Sequence, residues 1–206
     1  MHVAHRTSHA DGSLHRVSPF ITTTRETAVA AAEMLNLGAF DTVADLGCGT
    51  GAALNVMCAH VAGARALGLD NCAELIVTAR ANALEMHVGD RACYELVDFL
   101  AVDAVALCAR ITKGTTTCFI DSRVNLVRLN RVPCTISSTS PALAVYMYIC
   151  EPQLCEPRMK ALLLAIARAR IPIVSYLFRV AYLEGVCQVT HDDKFPLTLY
   201  RAGDLV

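Results

Sequence analysis

The chain has 206 residues, of which 54% are hydrophobic and 18% charged, and its formal net charge at pH 7 is −1. This composition excludes an intrinsically disordered chain and is sufficient for a sizeable hydrophobic core. The near-neutral charge gives no general attraction to polyanions, so a nucleic acid would need a local basic patch. Because no apolar stretch approaches the roughly 20 residues that cross a bilayer, we expect a soluble protein without a transmembrane segment.

The chain contains 10 cysteines, most of them inside apolar segments, with no CxxC pair and no signal peptide. This usage predicts small buried side chains in a reducing, intracellular compartment. Cys150 and Cys155 could instead form a metal pair, but no second pair accompanies them, so no metal site is predicted.

Residues 1–16 are predicted to form a flexible tail or targeting segment. They contain His2, His5, His9 and His15, which could bind a metal but more commonly belong to a solvated tail. Arginine with serine and almost no acid also fits a short mitochondrial presequence, so we expect the mitochondrion or the cytoplasm. The remaining residues, 17–206, are predicted to form a single domain.

The first predicted helix spans Thr27–Leu37. Thr23 and Glu26 are predicted to form a capping box at its start, and Gly38 is predicted to end it. Its apolar face would consist of Val29, Ala32, Met34 and Leu35.

The most informative stretch is residues 43–51, Val-Ala-Asp-Leu-Gly-Cys-Gly-Thr-Gly, in which a short apolar strand with an acid is followed by alternating glycines. Gly47, Gly49 and Gly51, ahead of a predicted helix over Ala52–Val61, allow the backbone to pass close to a bound small molecule where a Cβ would clash. A glycine-rich turn without a ligand is the simpler alternative.

Spacing and charge indicate which ligand this loop would bind. The dinucleotide fingerprint G-x-G-x-x-G/A fits loosely, with Gly47, Gly49 and Ala52. Asp45, however, precedes the first glycine, where a carboxylate would repel a pyrophosphate but could bind a cationic amino group. Together with the G-x-G-x-G pattern, this favours S-adenosylmethionine as the cofactor. The run, which includes Cys48, resembles motif I of class I methyltransferases.

Two further predicted strands end in acids. Asp70 ends the second strand a little over twenty residues beyond the glycines, where a carboxylate can chelate ribose hydroxyls, and Asn71 follows it. The third strand, Ala92–Val97, is followed by Asp98 and Phe99. In methyltransferases this place commonly supplies a carboxylate for the adenine amino group and an apolar side chain for the adenine ring. We therefore expect three acids at the same edge of one sheet.

The stretch between residues 102 and 141 is longer than a helical connection requires, and we interpret residues 104–140 as an insertion before the fourth strand. It is basic, so it could be a solvated flap or could contact RNA, a ribonucleoprotein or another partner. Pro133 and Cys134 are similar to the Pro-Cys nucleophile of cytosine-5 methyltransferases, but there the pair follows the fourth strand, whereas here it precedes it.

The remaining elements predict an α/β fold, a doubly wound, seven-stranded, Rossmann-like sheet of the methyltransferase type. The predicted segments are a central strand over Ala142–Ile149, a helix over Arg158–Ala169 preceded by Pro157, a strand over Ile171–Phe178, and a closing antiparallel pair over Gly185–Thr190 and Pro196–Tyr200.

Four segments carry a closer resemblance. They are residues 18–24, Ser-Pro-Phe-Ile-Thr-Thr-Thr, the motif I run, residues 152–159, Pro-Gln-Leu-Cys-Glu-Pro-Arg-Met, and residues 172–178, Pro-Ile-Val-Ser-Tyr-Leu-Phe. Together they resemble the small lysine methyltransferases that include the mitochondrial ATP-synthase c-subunit and adenine-nucleotide-carrier enzymes. The similarity covers most of the chain outside the tail and the insertion, which departs from the family pattern. It implies methyl transfer to a protein lysine, and Thr23 is counted with the expected cofactor-binding residues.

Glu151 and Pro152 follow the fourth predicted strand, where this architecture places the methyl acceptor. In-line methyl transfer depends mainly on positioning, but a lysine with a reference pKa of about 10.4 must first lose a proton. A dry, aromatic-walled channel promotes that loss, so Glu151 is predicted to orient or deprotonate the amine, with Tyr148 or Tyr176 lining the channel. Alternatively, Glu151 caps the next helix and both tyrosines belong to the core.

Other functions remain open at this stage. The chain could be a methyltransferase-fold scaffold in a ribonucleoprotein or other complex, with little or no turnover. It could also methylate a small molecule or RNA. An NAD-dependent oxidoreductase is less favoured, because no residue is evident as the acid for hydride transfer.

Overall fold

The computed structural model describes residues 22–98, 101, 103, 106, 107 and 142–203 of the chain. The predicted tail, Phe99, the Pro133–Cys134 pair and nearly all of the predicted insertion lie outside these residues. Strands and helices are numbered in chain order within the described residues.

Seven strands form one sheet in the order β3-β2-β1-β4-β5-β7-β6. The five strands from β3 to β5 are parallel, while β7 is antiparallel to both β5 and β6. The predicted doubly wound sheet with a closing antiparallel pair is therefore confirmed. The strands are β1 (Thr42–Leu46), β2 (Arg65–Asp70), β3 (Ala92–Leu96), β4 (Leu143–Met147), β5 (Ile173–Tyr176), β6 (Cys187–His191) and β7 (Leu197–Ala202).

The helices of the described residues are α1 (Arg25–Leu35), α2 (Ala52–His60), α3 (Ala73–Glu85), α4 (Glu151–Leu154), α5 (Pro157–Arg168) and α6 (Ala181–Glu184). Helices α2 to α5 lie in crossover connections between parallel strands, as a parallel sheet requires, whereas α1 precedes β1 and α6 follows β5. None of the helices in the described part of the chain combines the length and apolarity needed to cross a membrane.

The core lies on both faces of the sheet. On β1, Val43 packs into one cluster, with residues of α1, α2 and α3, whereas Ala44 and Leu46 pack into the other, with residues of α5. All five residues of β1 are buried. Such burial is usual for parallel strands covered on both faces, and it makes the polar Thr42 and Asp45 exceptions within the strand.

The start and end of α1 differ from the prediction. The N-cap is Thr24, whose hydroxyl accepts a hydrogen bond from the Thr27 N–H, so the predicted capping box of Thr23 and Glu26 is wrong. The helix ends before Asn36, which has a positive φ of 54° and caps it with its own N–H, so Gly38 is not its terminator. Asparagine tolerates this left-handed conformation better than most residues. The buried face is Thr27, Ala28, Ala31, Ala32 and Leu35, whereas the predicted face members Val29 and Met34 are half-buried.

Candidate active site

The sheet reverses its strand order at β1, which pairs with β2 on one side and with β4 on the other. In open α/β sheets, ligands bind in the crevice at the carboxyl ends of the strands at such a switch point. Asp45 lies on β1 in register with Gly68 of β2 and Tyr146 of β4. The predicted glycine loop, residues 47–51, comes directly after β1 and leads into α2.

Asp45 is the most unusual side chain of this crevice. It is only 3% exposed, and its Oδ1 atom has no hydrogen-bond partner among the described residues. Burial, and then the negative charge of Asp70, raise the pKa of the Asp45 carboxyl well above its usual range. A buried carboxylate without a partner is costly in free energy. The site therefore fits a ligand that brings a cationic hydrogen-bond donor.

Asp70 fastens the glycine loop to the end of β2. Its Oδ2 accepts a hydrogen bond from the Gly49 N–H at 2.9 Å, and its Oδ1 accepts one from the Cys72 N–H at 2.9 Å. Each carboxylate oxygen has a further lone pair, so the group can also accept from a ligand hydroxyl. The neighbouring Asn71 is exposed.

The N–H groups of the loop are largely used within the protein. Those of Gly47 and Cys48 both donate to the Leu69 carbonyl, at 2.8 and 3.0 Å, and that of Gly51 donates to the Cys48 carbonyl at 2.9 Å. A pyrophosphate site presents free N–H groups to the anion. With two carboxylates beside it as well, this loop does not suit the dinucleotide alternative.

The glycines of the loop are needed for different reasons. A Cβ on Gly47, where φ is +85°, would meet no atom within 4 Å, so this glycine borders open space in the crevice. A Cβ on Gly51, where φ is +72°, would lie 2.6 Å from the Tyr94 hydroxyl oxygen. A Cβ on Gly68 would clash with the same ring. Gly51 therefore makes room for Tyr94, and its predicted contact with a cofactor stays a prediction.

Tyr94 is a supporting residue that the sequence analysis did not identify. Its hydroxyl donates to Asn55 Oδ1 at 2.6 Å inside the core, while Asn82 Nδ2 donates to the Thr50 carbonyl at 3.0 Å. The first contact joins β3 to α2 behind the loop, and the second joins the loop to α3. The isolated Gly68 within a strand pattern was the available signal, because such glycines often mark a close approach.

Cys48 was predicted to contact the cofactor, but its side chain points into the protein. It is only 7% exposed and packs in the core cluster that contains Tyr94. Burial raises the pKa of its thiol far above the ordinary value, so the group is neutral. Only the main chain of Cys48 belongs to the loop surface.

Asp98 lies two residues beyond the end of β3, next to the end of β2. The adjacent Val97 N–H donates to the Asp70 carbonyl at 2.8 Å, and Asp98 Oδ1 accepts from the Ala101 N–H at 3.3 Å. The structure thus places Asp45, Asp70 and Asp98 at the same edge of the sheet on three adjacent strands. The predicted adenine-binding neighbour, Phe99, lies outside the described residues.

Thr23 lies beside the same crevice. Its hydroxyl is 2.9 Å from the hydroxyl of Tyr146, which is 1% exposed. Burial, followed by the nearby Asp45 charge, raises the pKa of Tyr146. Thr23 is therefore linked to Asp45 through Tyr146, a second residue that the sequence analysis missed.

Three aromatic side chains stand at the carboxyl ends of β4 and β5. The ring centroid of Tyr148 is 5.2 Å from that of Tyr176, with the rings tilted by 49°, and 6.0 Å from that of Phe178, with the rings nearly parallel at 24°. Burial, and then Tyr176, raise the pKa of Tyr148, so its phenol is neutral at physiological pH. We call these three side chains the aromatic corner.

Glu151 and Pro152 begin α4 and are both exposed. The preceding residue, Cys150, donates from its Sγ to Gln153 Oε1 at 3.3 Å. In the described part of the chain there is no group of three or more His, Cys, Asp or Glu residues placed to hold a metal ion.

Comparisons with known proteins support the fold. No family model matches the chain, and no curated protein does either. An RNA methyltransferase from Salinibacter ruber, solved with S-adenosyl-L-homocysteine, is 17% identical and matches with a TM-score of 0.58 over 90% of this chain and 96% of that chain. A SAM-dependent O-methyltransferase from Thermotoga maritima is 10% identical, with a TM-score of 0.55 over 98% of this chain and 79% of that chain.

At such low identity these matches bear on architecture, not on substrate. The seven-stranded mixed sheet with flanking helices matches these solved structures. The chain has the class I fold of SAM-dependent methyltransferases.

Proposed function

We propose that this protein is a methyltransferase that uses S-adenosylmethionine. The observation that carries the proposal is the buried Asp45 carboxylate, one oxygen of which has no hydrogen-bond partner among the described residues, beside a glycine loop whose own N–H groups are largely hydrogen-bonded within the protein. A ligand with a cationic amino group and no phosphate satisfies both conditions. The methionine part of S-adenosylmethionine has such an amino group, so the residues present fit this cofactor.

The expected contacts depend on the position of each residue. Asp45 would bind the methionine amino group, with Thr23 supporting the adjacent Tyr146. Asp70, with Asn71 beside it, would accept from the ribose hydroxyls. Asp98 and Phe99 would hold the adenine, and the main chain of residues 47–49 would pass beneath the nucleoside. When bound, S-adenosylmethionine supplies a methyl carbon on a sulfonium that departs as a neutral thioether.

The proposed acceptor is a protein lysine. Two features support it: the exposed carboxylate of Glu151 and the aromatic corner, both at the carboxyl ends of β4 and β5. The aromatic side chains exclude water from the enclosed ammonium group, and Glu151 can accept its proton or orient it. The rest of the acceleration would come from holding the amine nitrogen in line with the methyl carbon.

Cofactor binding is tested by isothermal titration of the full chain with S-adenosylmethionine and, separately, with NADH. Wild-type protein should bind only the former, and Asp70→Ala should weaken binding about tenfold or more, since it removes both a hydroxyl acceptor and the anchor of Gly49. Asp193→Asn, at an exposed acid away from the crevice, is the matched control and should bind like wild type. Wild-type protein that binds NADH, or that does not bind S-adenosylmethionine, would refute the proposal.

The acceptor class is tested with methyl-labelled cofactor and a cell extract. After incubation, the protein fraction is hydrolysed to amino acids, and methylated lysine should carry the label. Glu151→Gln should reduce incorporation without changing the affinity for S-adenosylmethionine. Label recovered in RNA or in small molecules would reject the lysine acceptor while leaving the cofactor assignment intact.

A further inference from the structure

The turn after β5 has an unusual backbone. Leu177 has a positive φ of 67°, although it is not a glycine, and the Phe178 N–H donates to the Tyr176 carbonyl at 2.9 Å. An i to i+2 hydrogen bond around a residue of positive φ defines the rarer and strained form of the γ-turn. Strain of this kind costs about 1–3 kcal/mol and persists where surrounding contacts impose it.

The surrounding contacts here are specific. The Leu177 N–H donates to the Pro196 carbonyl at 2.8 Å, and the buried Ser175 hydroxyl donates to the Phe178 carbonyl at 2.6 Å. Leu177 itself is 44% exposed, so core packing of its side chain does not explain its conformation. The result of the turn is that Tyr176 and Phe178, on either side of Leu177, both approach Tyr148.

The aromatic corner is continuous with the predicted cofactor crevice. Asp45 is in register with Tyr146 of β4, and Tyr146 is in register with Val174 of β5, two residues before Tyr176. Tyr146 and Tyr148 are two residues apart along β4 and its extension, and therefore lie on the same face. A row of side chains on one face of the sheet thus runs from Asp45, past Tyr146, to the corner.

Resting on the proposed function, we propose that the corner of Tyr148, Tyr176 and Phe178 is the acceptor subsite and that it binds an alkylammonium head. The strained turn at Leu177 is the device that assembles it. A cation is attracted to the faces of aromatic rings, and energetically significant contacts occur within about 6 Å of a ring centroid.

Geometry and charge favour an alkylammonium over a flat nucleobase. Tyr148 and Tyr176 are tilted by 49° to each other and form a corner, whereas a nucleobase stacks on one open ring face. Glu151 adds a negative charge near the end of β4. Of the basic residues, Arg179 follows Phe178 directly, but its Nη2 lies 3.0 Å from Glu184 Oε1, so its charge is partly neutralised.

The experiment uses the full chain with S-adenosylhomocysteine at saturation and ¹³C-labelled tyrosine rings observed by NMR. The probe is choline chloride, and its neutral isostere 3,3-dimethylbutan-1-ol and cytidine are titrated in parallel at constant ionic strength. Choline should shift the Tyr148 and Tyr176 ring signals in a saturable way, while the isostere and cytidine should not.

Variants separate the ring face from the hydroxyl and from the fold. Tyr148→Phe keeps a ring face and should bind choline within about twofold of wild type, whereas Tyr148→Leu should bind two- to fivefold more weakly, which is roughly the cation–π contribution at an exposed site. Phe178→Leu should also bind choline more weakly than wild type does. All three should bind S-adenosylhomocysteine like wild type, which verifies that they are folded.

Two results would overturn the inference. One is equal binding of choline and its neutral isostere, and the other is ring shifts with cytidine but not with choline, which would assign a nucleobase subsite instead. In both cases S-adenosylhomocysteine would still bind, so the proposed function would stand. Failure of wild-type protein to bind S-adenosylhomocysteine would refute the proposed function and this inference together.

Discussion

Burying the Asp45 carboxylate costs free energy on folding, and a cationic ligand that binds to it would recover part of that cost. The Oδ1 of Asp45 has no partner in the part of the chain that the structure describes, and burial and Asp70 raise its pKa, so a hydrophobic or neutral side chain at this position would stabilise the free protein more. Residues placed for binding are often unfavourable for the stability of the unliganded state. Replacing the Asp45 carboxylate should therefore have opposite effects on stability and on cofactor affinity.

We expect Asp45→Asn to raise the melting temperature of the free protein by about 2–4 °C, corresponding to about 1 kcal/mol for a chain of this size. The same substitution should weaken binding of S-adenosylmethionine about tenfold or more, because the amide cannot neutralise an ammonium group. Calorimetric melting and isothermal titration measure the two effects. A variant that lost stability while binding normally would show that Asp45 is structural.

The raised pKa also predicts a pH dependence. Because folded Asp45 retains a proton that the unfolded chain releases near pH 4, its contribution to stability declines as the pH rises from about 4 to the folded pKa and stays low above it. Denaturant melts across this range should give a steeper decline for wild type than for Asp45→Asn. Identical profiles would mean that Asp45 titrates normally.

Two glycines of the loop should respond differently to the same added methyl group. Gly47→Ala places a Cβ in open space at a φ of +85°, so we expect a loss of about 1 kcal/mol of stability and a much larger loss of cofactor affinity. Gly51→Ala drives a Cβ into the buried Tyr94 ring and should lose about 3 kcal/mol or more, in keeping with overpacking plus strain. Urea titration with cofactor titration separates them, and equal stability losses would contradict the distinction.

Among the elements, the turn after β5 has a backbone conformation that its amino-acid types disfavour. Leucine disfavours a positive φ, yet hydrogen bonds from Ser175 and to Pro196 fix the turn. We expect Leu177→Gly to stabilise the protein by at most about 1 kcal/mol, since glycine adopts this φ without strain. Leu177→Pro, which fixes φ near −65° and removes the N–H donor, should lose about 3 kcal/mol or more.

Chemical denaturation compares the two Leu177 variants, and the choline titration provides a second readout. Leu177→Gly should keep the aromatic corner and bind choline like wild type. If Leu177→Pro were as stable as wild type, the turn would not be fixed in the way that its hydrogen bonds indicate.

At the scale of the whole molecule, the sheet order brings together residues that are distant in the chain. The switch point joins β1 to β4 across almost 100 residues of sequence, with Thr42 in register with Leu143. A ligand seated there contacts elements from both sides of the predicted insertion. Binding of this ligand should therefore stabilise the whole described fold against unfolding, and not only one loop.

We expect S-adenosylmethionine at one hundred times its dissociation constant to stabilise the protein by about 2.7 kcal/mol, or roughly 5–10 °C in melting temperature. Differential scanning calorimetry over a series of cofactor concentrations measures the shift, with Asp193→Asn as the matched control. NADH at the same concentrations should leave the melting temperature unchanged. A comparable shift with NADH would contradict the assignment of the loop.

The amino-acid sequence by itself determined the alternation of strands and helices, the fold class and the three acids at strand ends. These features follow from local signals, namely apolar runs, glycines and the spacing of acids. Such signals can be recognised without knowing which other segments they contact. The same local rules placed the N-cap of α1 at Thr23 instead of Thr24, because adjacent threonines are equivalent until the neighbouring side chains are known. In the folded protein the Thr23 hydroxyl is instead hydrogen-bonded to the hydroxyl of Tyr146, which lies more than 100 residues away in the chain.

Only the tertiary structure decided that Gly47 borders open space while Gly51 and Gly68 face Tyr94, that the Cys48 side chain is buried, and that Tyr148 contacts Tyr176 and Phe178. These outcomes depend on contacts between β1, β2, β3, β4 and β5, and no single segment specifies them. The physical reason is that packing and desolvation act between elements. The burial of the Asp45 carboxyl, with one oxygen lacking a partner within the described ranges, and the strained turn at Leu177 exist only once those elements have come together.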